Sequence, residues 1–314
     1  LHKGVEKVMS MKFIEIMRPS HWTKNLFVFA ALLFGGKLAG PAGQVAVAVA
    51  SAFGGFVCFC LAASSVYIFN DIMDRRSDLL HPGKAARPIA SGRVSVPAAA
   101  VFAGLCCLVA LAGAWRLAPS FAAVVGGYIG LMVLYSVLFK RMLIVDCIVI
   151  SIGFCLRAVG GAIVVGVFTS PWLIICTFAL CLFLGFGKRR SEIVQLGPAG
   201  EAFRGTLGGY SGELTAHMLN VSSGLAVVCF LLYSTDDRTV NMFGTHNLVY
   251  TVPLVMYCVF RCSALVEKGS YDGPVQLVLR DRPFQAGFVL WALACSVIIY
   301  ADKMTVSFGN FWAY

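Results

Sequence analysis

Long apolar runs fill most of this chain, and short polar stretches separate them. A helix crosses a bilayer with about 20 apolar residues. Nine runs approach that length: 23–40, 44–69, 96–116, 119–139, 143–166, 171–187, 214–234, 246–262 and 284–302. The pattern predicts an all-α, polytopic membrane protein with about nine transmembrane helices. The gaps are short throughout, so 1–314 reads as a single integral membrane domain. Small-residue pairs at Gly54-Gly55, Gly126-Gly127 and Gly160-Gly161 predict close helix contacts. Ahead of the first run, residues 1–17 alternate apolar positions with Lys3, Glu6, Lys7, Lys12 and Glu15. That spacing predicts an amphipathic helix lying at the interface rather than a signal peptide.

Composition agrees. The 314 residues are 59% apolar and 13% charged, against about 45–50% and about 25% in soluble domains. The net charge of +10 belongs to basic loops on one side of a membrane. No basic tail or aromatic-basic module supports nucleic-acid binding. The twelve cysteines lie mostly in apolar runs, without CxxC pairs or histidines at zinc spacing. They read as small buried residues, and neither disulfides nor zinc is expected.

Charge then orients the chain. With the N-terminus inside, Arg157 falls within a run, and only Lys37, Arg116, Arg238 and Lys303 fall outside. The other twenty of the 25 Lys and Arg are inside. All acidic residues except Asp236, Asp237 and Asp302 are also inside. Carboxylates do not set topology, so an active site on the cytoplasmic face accounts better for their gathering. The expected location is the inner (plasma) membrane.

The richest polar stretch is Asn70 to Gly92, NDIMDRRSDLLHPGKAARPIASG. Asp71, Asp74 and Asp78 share one face of a helix, with Asn70 a turn before Asp74. Clustered carboxylates are hard oxygen ligands that suit Mg²⁺ carrying a diphosphate. Lys84, Arg87 and Arg93 follow and suit phosphates. Tyr67, one turn before Asp71, joins the substrate-binding set. Asp146 and Arg157 lie eleven apart on an otherwise apolar helix, about 16 Å along one face. Both can face one cavity, with Tyr135 and Lys140 nearby; the other reading pairs each with a neighbouring helix, a structural part that suits the deeper Arg157 best. Lys188, Arg189, Arg190 and Glu192 end the sixth run, and Lys24 lies in RPSHWTKN. Basic residues at such ends also serve as plain anchors, the reading given to Arg190.

The motif NDxxDxxxD after the second run, followed by RPIASG, resembles the UbiA superfamily of intramembrane prenyltransferases. Within it, Arg18-Pro19-x-x-Trp22-x-Lys24-Asn25, His81-Pro82-x-Lys84-x-x-Arg87-Pro88, Tyr135-Ser136 with Lys140, and Gly187-Lys188-Arg189 with Glu192 are similar to the branch of polyprenyl-phosphate (decaprenyl-type) phosphoribosyltransferases. The resemblance runs from about residue 16 to 285. It implies nine helices around a central cavity and a cytoplasmic Mg²⁺–diphosphate site. Asp71, Asp74 and Asp78 would be the metal ligands, and Asp71, Asp74 and Asp146 the catalytic set. Lys24, Tyr67, Asn70, Asp78, Lys84, Arg87, Tyr135, Lys140, Arg157, Lys188 and Arg189 would bind substrate. Two departures stand out: His21 replaces an expected glutamine, and no second acidic DxxxD motif is present.

The implied reaction moves 5-phosphoribosyl from 5-phosphoribosyl 1-diphosphate to a polyprenyl phosphate. It is an early step toward ribosyl and arabinosyl lipid donors for cell-surface glycans. The alternative moves a prenyl group from a prenyl diphosphate to an aromatic acceptor, and it expects the missing second acidic motif. A transporter would leave the inner carboxylates without a purpose. Self-association as a homo-oligomer is compatible with either enzyme.

Overall fold

The computed structural model describes residues 12–80, 83–196, 209–271 and 274–309. Every regular element among them is helical. Residues 12–17 are helical, and the rest of the expected interfacial helix lies outside the described residues. Seven helices are long and apolar enough to cross a membrane: Ala42–Met73, Val96–Leu117, Pro119–Val137, Val145–Val165, Gly212–Thr235, the stretch Asn247–Glu267 and Arg282–Tyr300. In lipid a chain must satisfy its own backbone groups, which a helix does residue by residue. Pro171–Leu196 is a helix of 26 residues where the sixth run was expected. The first run, 23–40, is different. It breaks into a 3₁₀ segment Pro19–Phe29, a short helix Ala30–Phe34 and a 3₁₀ turn Lys37–Ala39. Gly36, at φ +66°, ends the middle piece in the left-handed region that favours glycine.

Packing divides the chain into two compact units. The first comprises Leu1–Leu32, Ala46–Lys140 and Leu156–Phe168. Its core gathers Val28, Phe59, Ala62, Ala110, Phe121, Val125 and Tyr128. The expected Gly160-Gly161 contact is present here. A Cβ on Gly161 would come within 2.0 Å of the Val28 carbonyl oxygen, and one on Gly160 within 2.7 Å of the Phe59 ring. Gly126-Gly127 makes no such contact. A Cβ on Gly127 would meet nothing within 4 Å, because that face of the helix is exposed. The Val96–Leu117 and Pro119–Val137 helices form a hairpin. Ala118 is extended at φ −165°, as the residue before a proline tends to be, and Pro119 opens the second helix.

The second unit comprises Leu33–Val45, Arg141–Cys155 and Thr169–Tyr314. Pro171–Leu196 packs against Gly212–Thr235, and Val252–Glu267 lies against both Gly212–Thr235 and Arg282–Gly309. Phe183, Leu219, Val259, Cys262 and Leu277 fill one core, and Phe230, Tyr233, Leu248, Cys295 and Ile299 another. The Val145–Val165 helix is shared: its residues to Cys155 belong to the second unit, and those from Leu156 to the first.

Candidate functional site

The first unit builds an acidic face at the end of its longest helix. Ala42–Met73 runs past the apolar segment to include Asn70 and Asp71, Asp74 forms a turn, and the chain re-enters a helix at Arg75–Leu80. The backbone ladder carries through the turn, with the Asp74 N–H on Asn70 O at 2.9 Å and the Asp78 N–H on Asp74 O at 2.8 Å. That continuity keeps Asp71, Asp74 and Asp78 on one face, as the spacing predicted.

Each carboxylate has a cation. Arg18 donates a hydrogen bond to Asp71 Oδ1. Arg87 Nη1 bridges two acids, reaching Asp71 Oδ1 at 3.2 Å and Asp78 Oδ2 at 2.6 Å. Lys140 Nζ pairs with Asp74 Oδ1, while Asn70 Nδ2 donates to Asp74 Oδ2 at 3.1 Å. Asp71 and Asp78 are each 4% exposed, so these charges interact through a medium far less screening than water. The Arg18 guanidinium also lies 5.5 Å from the centre of the Tyr67 ring, which places Tyr67 under the cation. Arg18 itself adopts φ +54°, an uncommon conformation for a non-glycine residue.

Three aspartates and an asparagine on one face form an oxygen-only donor set, which fits a hard cation such as Mg²⁺ in kind. Among the described residues, no three acidic, His or Cys side chains converge as a metal cage. The acids are instead directed at Arg18, Arg87 and Lys140. Three anions and three cations thus balance each other at the mouth of the helix.

Other predicted residues of this unit sort differently. Arg157 is 4% exposed. Its Nε donates to Asn25 Oδ1 and its Nη2 to the Tyr128 hydroxyl, both at 2.7 Å, and its guanidinium stacks 4.5 Å from the Tyr128 ring centre. Asn25 in turn donates to Cys60 Sγ at 3.2 Å. Lys24, next to Asn25, is half-buried. Lys84 and Tyr135 are half-buried. Arg93 does not turn to the acidic face. It forks onto both oxygens of Glu15 at 3.0 Å, on the exposed surface. His81 and Pro82 of the HPxKxxRP motif lie outside the described residues.

A second constellation lies in the other unit. Asp146, fully buried, meets Arg189 Nε at 3.0 Å in an ion pair. Arg189 also bonds Glu192, one turn on, through Nη1. The Tyr210 hydroxyl donates to Asp146 Oδ1 and accepts from the Ile144 N–H, both at 2.8 Å. Burial pushes the Tyr210 phenol up, so it remains a donor at neutral pH. Ile144 holds φ +66°, which is strained for a β-branched residue, and the Tyr210 hydroxyl fixes that turn. Lys188 is exposed and 3.9 Å from Glu192. Asp146 thus pairs with Arg189 in the second unit, while Arg157 bonds Asn25 and Tyr128 in the first. Arg190 bonds Glu267 at 2.8 Å and Gly212 O at 2.8 Å.

Several residues escaped the sequence reading. Arg18 was visible only as the first letter of a motif. Asn25 read, with Lys24, as a group that could face a phosphate, not as a partner of Arg157. Tyr128 looked like one more aromatic in an apolar run, and nothing in its neighbourhood marked Tyr210.

Comparison with known proteins follows this geometry. Residues 26–278 match the UbiA prenyltransferase family. The chain is 30% identical to a decaprenyl-phosphate phosphoribosyltransferase of Mycolicibacterium smegmatis, over 95% of each chain. It is 31% identical to a protein of the same name from Mycobacterium tuberculosis, over 88% of this chain and 91% of that one. A solved UbiA homologue from Archaeoglobus fulgidus, bound to GPP and Mg²⁺, superposes with a TM-score of 0.69 at 20% identity. The alignment covers 92% of this chain and 99% of that one.

Proposed function

The chain belongs to the UbiA prenyltransferase family, and from that premise we propose that it transfers 5-phosphoribosyl from 5-phosphoribosyl 1-diphosphate to a polyprenyl phosphate. The observation that carries this reading is the interlock of Asp71, Asp74 and Asp78 with Arg18, Arg87 and Lys140. A metal-bound diphosphate arrives with net negative charge, and the same three cations offset it. The names of the mycobacterial relatives support the choice of substrates.

Asp71 and Asp74, with Asp78 behind Arg87, would hold Mg²⁺. Bound there, the metal would neutralise charge on the departing diphosphate. Arg87 and Lys140 would exchange their carboxylates for phosphate oxygens, and Arg18 would hold Asp71 in place from the Tyr67 side. As the C1–O bond to diphosphate breaks, C1 gains oxocarbenium character. An oxygen of the lipid phosphate forms the new bond to C1. The acceptor is already an anion, so no proton has to move and no general base is needed. Prenyl transfer would call for a second acidic motif near the fifth run, yet that region holds Tyr135, Lys140, Arg141 and a lone Asp146. We place the protein in the inner membrane with this site on the cytoplasmic side, the side to which the charge pattern of the sequence assigns twenty of its basic residues.

The test is a transfer assay with purified protein, labelled 5-phosphoribosyl 1-diphosphate, Mg²⁺ and decaprenyl phosphate. Label should enter the lipid phase and diphosphate should be released. Failure of that transfer, together with reaction of a prenyl diphosphate donor, would overturn the proposal.

A further inference from the structure

The turn that carries the aspartates has a second face. Arg75 and Arg76 follow Asp74 directly, and both side chains are exposed. Neither forms a hydrogen bond or ion pair with another described residue, in contrast to Arg18, Arg87 and Arg93. Together with Ile72, Met73, Leu79 and Val96 they line a groove of about 420 Å³, within the size range of small-molecule sites. The groove sits where the Ala42–Met73 span ends. Its surroundings are apolar and uncovered: Met73 is 54% exposed, Leu79 49% and Leu80 85%. Leucines left bare at the end of a span face lipid, not water, and arginines there extend their heads toward the headgroup layer.

We propose that this groove binds an anionic phospholipid of the surrounding leaflet. Two guanidinium forks one residue apart suit a phosphate diester, which accepts paired N–H donors. Ile72, Met73, Leu79 and Val96 suit the glycerol and the first acyl carbons beneath it. A zwitterionic lipid would bring its own cation against Arg75 and Arg76. Free phosphate would leave the apolar wall bare. Charge complementarity therefore selects an anionic lipid. The site uses none of the residues assigned to transfer, so it stands or falls independently of the proposed reaction.

The experiment is lipid retention by the full chain, released from mixed phosphatidylglycerol and phosphatidylcholine vesicles and read by native mass spectrometry. A photoactivatable phosphatidylglycerol maps the position of the bound lipid. The wild-type protein should retain phosphatidylglycerol over phosphatidylcholine and crosslink between residues 72 and 96. The double variant Arg75→Gln/Arg76→Gln should bind phosphatidylglycerol about 30-fold more weakly, the effect of two interfacial arginine charges. Arg75→Lys/Arg76→Lys should keep most of the binding. Equal retention of the two lipids by wild type, crosslinks only elsewhere, or undiminished binding by the Gln variant would each overturn the assignment. So would displacement of the phospholipid by equimolar polyprenyl phosphate, which would make the groove a landing place for the acceptor. If the Gln variant fails to fold, the wild-type preference and the crosslink position decide alone.

Discussion

Arg189 and Asp146 form an ion pair withdrawn from solvent: Nε lies 3.0 Å from Oδ2, with the side chains 2% and 0% exposed. The two residues come from different helices, Pro171–Leu196 and Val145–Val165. A charge pair removed from water survives only when its remaining polar atoms are also satisfied. Here the Tyr210 hydroxyl and the Cys147 N–H donate to Asp146 Oδ1, and Arg189 Nη1 donates to Glu192.

Removing one member should therefore cost more than removing both. Arg189→Met leaves Asp146 charged and buried, and should destabilise the protein by about 3–5 kcal/mol. Arg189→Met combined with Asp146→Leu should recover a large part of that loss. Thermal unfolding in detergent micelles measures both. Equal destabilisation by the single and double variants would show that the pair does not act as a unit.

Asp74 and Lys140 should separate charge from chemistry. Asp74→Asn keeps the shape and a hydrogen-bonding group but removes the carboxylate, and should lower phosphoribosyl transfer by about 100-fold or more. Lys140→Gln should raise the donor KM more than it lowers kcat, because the ammonium would contact ground state and transition state alike. Near-normal transfer by Asp74→Asn would remove the metal role from that residue.

Asp281 gives a pH prediction. It precedes the Arg282–Gly309 helix and accepts the Phe284 N–H at 2.8 Å, while Arg261 forks onto it at 2.9 and 3.2 Å. The Arg261 hydrogen bond, above all, holds its carboxyl below the ordinary aspartate value. A depressed folded-state pKa contributes stability above the unfolded pKa, about 3.9, and that contribution disappears as pH falls through the folded value. Wild type should thus lose more stability than Asp281→Asn between pH 6 and pH 3. Parallel loss in the two proteins would show that the pair is silent.

Gly161→Ala should overpack the first unit. The added methyl would overlap the Val28 carbonyl oxygen, 2.0 Å away and part of the backbone. A loss of about 1–3 kcal/mol is expected. Gly127→Ala, with open space around it, should be close to neutral or mildly stabilising. The two unfolding temperatures, compared side by side, test whether the small-residue pairs differ in the way the packing indicates.

The sequence by itself determined the membrane class, the helical architecture and the acidic face. Each follows from short-range rules. A long apolar run in lipid has to be helical, and aspartates three and four apart on a helix must share a side. Asn70, Asp71, Asp74 and Asp78 were legible for that reason. Tertiary structure decided the partners. That Arg18 reaches Asp71 across 53 residues, that Arg87 bridges Asp71 and Asp78, and that Tyr210 secures Ile144 depend on which helices pack together. Hydropathy carries no information about that, because side chains in lipid gain little from one apolar neighbour over another. Packing likewise separated Gly161, pressed on a backbone, from Gly127, which faces outward. It also set Arg189 beside the buried Asp146, from another helix.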